Sequence, residues 1–125
     1  MVISLPFNLV RGDKFSQRYV VRNLKGATIS RAWLLVKTAY GVVDGSATIS
    51  KEVTTSNVAG TGQVEDAGSS GSGKIRFDFV NADTTALTAD TVYYYDVQVL
   101  LSTGDIHTLV SGKMVAMAEV TEDVS

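Results

Sequence analysis

The sequence predicts an all-β protein folded as an antiparallel β-sandwich, on three observations. The dominant hydrophobic period along its 125 residues is two rather than 3.6. Turn residues separate the alternating runs: "NLKG" at 23–26, "DG" at 44–45 and "STGD" at 102–105. No long amphipathic helix interrupts them, so roughly six to eight short strands are expected to stack as a sandwich. A chain of this length makes a single domain, 1–125, able to bury roughly two-thirds of the surface it exposes when unfolded.

The first well-defined strand is "FSQRYVVR". Phe15, Tyr19 and Val21 share one face, with Gln17 the polar exception, and Ser16, Arg18 and Arg22 share the other. This is the pattern of a half-buried antiparallel strand. "RAWLLVK" sets Ala32, Leu34 and Val36 against Trp33 and Leu35, so both faces are apolar and a central position is expected. Residues 54–73, "TTSNVAGTGQVEDAGSSGSG", are rich in Gly, Ser and Thr and offer little apolar area to offset the cost of ordering. A long mobile loop or hairpin tip is expected there, with order against a neighbouring subunit as the alternative. "KIRFDFV" points Ile75, Phe77 and Phe79 inward and Lys74, Arg76 and Asp78 outward. "VYYYDVQVLL" aligns Tyr93, Tyr95, Val97 and Val99 against Tyr94, Asp96 and Gln98. "IHTLVSGKMVAMAEV" then supplies one long strand, or two broken near Gly112.

Composition narrows the function. Cysteine is absent, which removes disulfides, thiolate metal sites and thiol redox chemistry. The opening "MVISLPFNLVRGD" lacks the charge and apolar pattern of a signal peptide, and no window approaches the roughly 20 apolar residues of a membrane helix. A soluble, unprocessed protein is expected. Charge is uneven: residues 1–40 hold seven bases against one acid, a net +6, whereas residues 41–125 hold four against twelve, a net −8. Basic N-terminal strands pairing with acidic later ones, or complementary ends that dock identical subunits, would account for this. A nucleic-acid surface is disfavoured, because no aromatic side chains interleave with the bases as a stacking platform.

Several motifs fail on their own chemistry. "GSSGSGKI", Gly68 to Ile75, follows the glycine-lysine spacing of a phosphate loop. However, Ile75 replaces the magnesium-binding Ser or Thr, and a strand pattern follows where a helix should open. His107 is the sole histidine and has no companion ligand in the sequence, so a surface strand position is expected. Asp78, Asp83, Asp90 and Asp96 would have to converge to make a calcium site or a glycosidase pair, and solvated acids are the simpler reading. Arg11-Gly12-Asp13 matches the tripeptide of integrin ligands, but it reads more simply as a turn leading into the strand anchored by Phe15. No cofactor, metal or catalytic residue is expected.

"LTADTVYYYDVQV", residues 87–99, is more informative. Leu87, Thr91 and Tyr93 resemble the tyrosine corner of fibronectin type III and related sandwiches, where a tyrosine hydroxyl ties the start of a late strand to backbone upstream. Ala89 and Asp90 replace the proline and glycine often found between. The resemblance implies an immunoglobulin/fibronectin-III-like sandwich, with an aromatic strand whose tyrosines cover the core edge as the alternative.

Taken in order, "RGDKFSQRYVV", "GATISRAWLLVK", "GKIRFDFVNADTTALTADTVYYYDVQV" and "GDIHTLVSGKMVAMAEVT" resemble small immunoglobulin-like domains of tailed phages and prophages, including the N-terminal domain of the baseplate upper protein family. The extended Gly/Ser segment and the missing C-terminal extension, which in that family links to receptor-binding proteins, depart from the pattern. The resemblance implies a non-enzymatic structural protein of the virion, made in the bacterial cytoplasm and placed in the tail or baseplate. Its partners would be other tail or baseplate proteins and further copies of itself. Arg18, Arg22 and Arg31 are the candidate basic contact face, with the 54–73 segment as a second contact. A virion-surface carbohydrate-binding or adhesion module using Tyr40 and Tyr94, and a capsid decoration protein, are the alternatives.

Overall fold

The computed structural model describes residues 3–4, 7–10, 14–38 and 48–117. The Arg11-Gly12-Asp13 tripeptide, Tyr40 and the 44–45 turn lie outside the described residues. Nine strands and one short helix occur among those described, in the order β1 (Ile3–Ser4), β2 (Phe7–Val10), β3 (Phe15–Val21), β4 (Ile29–Lys37), β5 (Ile49–Val53), β6 (Gly62–Asp66), β7 (Gly73–Phe79), α1 (Asn81–Thr85), β8 (Thr91–Leu101) and β9 (Ile106–Met117). They form an all-β sandwich. The larger sheet runs β1-β9-β8-β4-β5, with β2 also on β9, and the smaller runs β3-β7-β6.

Alternation decides which residues reach the core. Ile75, Phe77 and Phe79 of β7, Ala32, Leu34 and Val36 of β4, and Tyr93, Tyr95, Val97 and Val99 of β8 are all buried between the sheets. Each fully buried Phe or aliphatic side chain contributes about 1.5–3 kcal/mol. At one end of the smaller sheet Phe15 stacks on its cross-strand neighbour Phe79 with ring centroids 4.6 Å apart. Tyr19 meets Phe77 edge-on at 6.3 Å. Burial pushes the Tyr19 phenol well above its ordinary range, and Tyr95 nearby adds to the shift. Burial raises Tyr95 as well.

The structure differs from the sequence reading in two places. First, the larger sheet is not wholly antiparallel, because β1 and β2 run parallel to β9. No hairpin joins them to β9; the intervening chain is long enough for a parallel pairing. Second, residues 54–73 are not one long loop, because β6 lies inside them and pairs with β7. Val64 alone supplies a buried anchor, and the polar residues around it are held by backbone pairing instead of packing. Gly62 makes that pairing possible: at φ +131°, a Cβ there would stand 2.0 Å from the Arg76 carbonyl oxygen. The last segment is the single long strand of its two alternatives: β9 is continuous through Gly112, and its irregularity falls at Leu109, where the register with β8 shifts between Val97 and Gln98.

Candidate interaction surfaces

The predicted arginines are not brought together. Arg18 projects from the outer face of the smaller sheet, and Arg31 from the outer face of the larger sheet on the opposite side of the sandwich. Arg22 is exposed just beyond β3. A single basic face made of all three is therefore ruled out by geometry: the chain changes sheets between β3 and β4, and residues of one charge are divided between two surfaces.

Two of the N-terminal cations instead meet later acids. Arg18 Nε lies 3.1 Å from Glu65 Oε1, and Arg31 Nη1 lies 2.8 Å from Glu52 Oε1. Arg18 stands directly opposite Arg76 across the β3-β7 ladder. Glu65 relieves that like-charge pairing by accepting from Arg76 Nη1 at 3.0 Å with its other oxygen. Arg76 also pairs with Asp78 at 3.0 Å and donates to Asn57. Exposed pairs of this kind are each worth about 0–1 kcal/mol, so they set surface pattern more than stability. An open depression of about 480 Å³ lies on this face, where Lys14, Ser16 and Arg18 meet Arg76, Asp78 and Gly60.

The outer face of the larger sheet has a different character. Registered rows cross its strands: Thr108, Gln98, Trp33 and Glu52; Ser111, Asp96, Leu35 and Ser50; Lys113, Tyr94 and Lys37; Val115 and Val92. Ile106 opposes Leu100 at one end, and Met117 follows Val115 at the other. Ile106, Met117 and Val92 are 60%, 44% and 43% exposed, and are three of the five large apolar side chains exposed among the described residues. Trp33 and Tyr94, half-buried, and Leu35, buried, lie between them on an apolar stripe that runs beside Thr108, Gln98, Ser111 and Asp96 and is bordered by Arg31, Glu52, Lys37 and Lys113. Sequence reasoning missed Val92, Ile106 and Met117. Their signal was an apolar residue in the outward phase of a strand.

The remaining candidates fall into structural roles. The Tyr93 hydroxyl accepts the Thr88 amide N–H at 2.7 Å, with Leu87 fully buried beside the turn and Thr91 at the start of β8. Asp90 takes the left-handed conformation at φ 57°, which Asp tolerates better than most residues, and so stands in for the glycine. Asp78, Asp83, Asp90 and Asp96 do not converge: Asp78 binds Arg76 and Ser16, Asp83 binds Lys51, Asp90 sits in a turn and Asp96 lies on the outer face of β8. No cluster of three or more metal-ligating side chains occurs among the described residues. Gly68 to Ile75 form a turn and the start of β7, not a phosphate cradle; a Cβ at Gly68, with φ +90°, would meet Leu24 at 2.1 Å. His107 is exposed on β9 opposite Val99. Among the described residues no helix is long and apolar enough to cross a membrane. Compared with protein-family models and with curated proteins, the sequence matches none of either.

Proposed function

We propose that this chain is a non-enzymatic structural domain of a tailed-phage or prophage particle, placed in the tail or baseplate and acting through protein-protein assembly. The observation that carries the reading is the apolar stripe on the larger sheet, where Val92, Ile106 and Met117 stand exposed around Trp33, Leu35 and Tyr94. An apolar centre bordered by charge is the anatomy of an assembly interface. Repeated around a ring, such a patch is buried once per subunit, so a modest contact suffices.

Strand order supports the immunoglobulin-like component of the reading. The three-stranded β3-β7-β6 sheet faces β9-β8-β4-β5, and the chain crosses between sheets after β2, β3, β5 and β7, as in immunoglobulin-like sandwiches. The tyrosine corner at Tyr93 lies at the start of β8, the matching position in that fold. The virion assignment comes from the ordered sequence resemblance. Incubated separately with purified tails and purified heads of a phage that encodes it, the chain is expected to co-sediment with tails. Binding to heads alone would make it a decoration protein, and binding to neither would overturn the assembly reading.

A further inference from the structure

Every strand at the edge of a sheet exposes a row of amide N–H and C=O groups that must be shielded or used. Three of the edges in this sandwich are guarded. β1 and β2 are only two and four residues long. β5 has five residues and points the Lys51 side chain into the sandwich, a charge that disfavours further pairing. β6 carries a bulge between Val64 and Asp66, and the preceding turn covers it: the Val64 amide donates to the Thr54 carbonyl at 2.6 Å and Gln63 Nε2 to the Thr55 carbonyl at 2.9 Å.

β3 has none of these guards. It pairs with β7 in unbroken register from Phe15 opposite Phe79 to Val21 opposite Gly73. It contains no proline, bulge or inward-pointing charge, and no strand among the described residues pairs with its other side. The outward phase carries Ser16, Arg18 and Val20, with Val20 53% exposed, and Lys14 and Arg22 extend it at either end. Cations therefore recur at every fourth residue along an open edge. The depression that Ser16 leaves between Lys14 and Arg18 opens beside them.

We propose that the free edge of β3 docks an extended segment of a partner protein by strand addition, and that this segment carries carboxylates at every fourth residue to meet Lys14, Arg18 and Arg22. A second copy is the wrong occupant. Antiparallel pairing of two β3 edges about their centre would set Arg18 against Arg18 and Lys14 against Arg22, and directly opposed like charges are destabilising. This edge belongs to the assembly reading above but lies on the smaller sheet, so it can fail while the apolar stripe stands, and the reverse.

The test uses the full chain and a fluorescent peptide of about nine residues with aspartate at every fourth position and valine and threonine between. Anisotropy titration is expected to show binding that weakens about tenfold as salt rises from about 0.05 to about 0.5 M. The Lys14→Glu/Arg22→Glu double variant, altered only at exposed positions outside the strand, should bind at least about tenfold more weakly with an unchanged melting temperature. Alternate N-methylation in the phase whose amides face β3 should abolish binding, whereas methylation in the opposite phase, whose amides point away, should spare it. Absence of binding at low salt would overturn the proposal, as would equal binding of the two N-methylated peptides or of the lysine-substituted peptide. A peptide-free dimer whose affinity the double variant alters would assign the edge to a second copy and overturn it likewise.

Discussion

Tyr93 faces the core by its phase in β8, yet its hydroxyl reaches back across the turn to the Thr88 amide. That bond fixes where the chain leaves α1 and enters the larger sheet. Tyr93→Phe keeps the ring and deletes the acceptor, so a loss of about 1 kcal/mol is expected in denaturant unfolding, with the fold retained. A second residue-scale prediction concerns alkaline pH. Tyr19 and Tyr95 have raised phenol pKa values in the folded protein against an ordinary 10.0. Below that ordinary value both states are protonated and the contribution is constant. As pH rises through about 10 the unfolded chain loses these protons first, so stability falls by up to about 1.4 kcal/mol per pH unit for each tyrosine. Unfolding free energies measured between about pH 8 and 11 should be flat at first and then decline, and the decline should shrink in Tyr19→Phe. The corner was legible in the sequence because an aromatic run led by Leu87 and Thr91 is distinctive. The left-handed backbone of Asp90 was not, since Asp favours but does not require it.

At the scale of elements, Lys51 explains both a stabilising contact and a missed strand. It occupies the inward phase of β5 between Ile49 and Val53, yet its ammonium lies 2.6 Å from Asp83 Oδ2 and donates to the Gly60 carbonyl at 2.8 Å. Asp83 also accepts the Val80 amide at 2.9 Å, so one buried cation joins β5, the turn before β6 and the start of α1. Lys51→Ala strands a largely buried carboxylate and should cost about 2–4 kcal/mol in chemical denaturation, part of which Asp83→Asn on the same background should restore. A charge in the inward phase hides the alternation that identifies a strand, and β5 was accordingly illegible. β6 was hidden for a different reason: Val64 is its one large core side chain, and its place depends on ladder bonds to β7 that no local pattern encodes. By contrast, β3, β7 and β8 alternate, and their inward residues fell where the period of two put them, while β4, apolar on both faces, lies between β8 and β5 as a central strand should.

For the molecule as a whole, folding redistributes the charge asymmetry of the sequence. Arg18 and Arg31 are separated onto opposite faces and met by Glu65 and Glu52, so net charge by sequence segment does not translate into a single basic face. The two outer faces then differ in kind, one ionic and cupped beside the open β3 edge, the other apolar along its centre. The apolar stripe was hidden in the sequence because Val92 and Met117 lie far apart along the chain and come together at one end of the face only when β8 and β9 pair, with Ile106 beside Leu100 at the other end. The central claim is that this stripe is an assembly surface. Light scattering on the full chain over a wide concentration series, beside a Val92→Glu/Met117→Glu variant changed only at exposed positions, tests it most directly. The account predicts a wild-type mass rising to a fixed multiple of the chain and a variant that stays monomeric with the same melting temperature. A wild-type protein that remains strictly monomeric, or a variant that assembles as well as wild type, would contradict it.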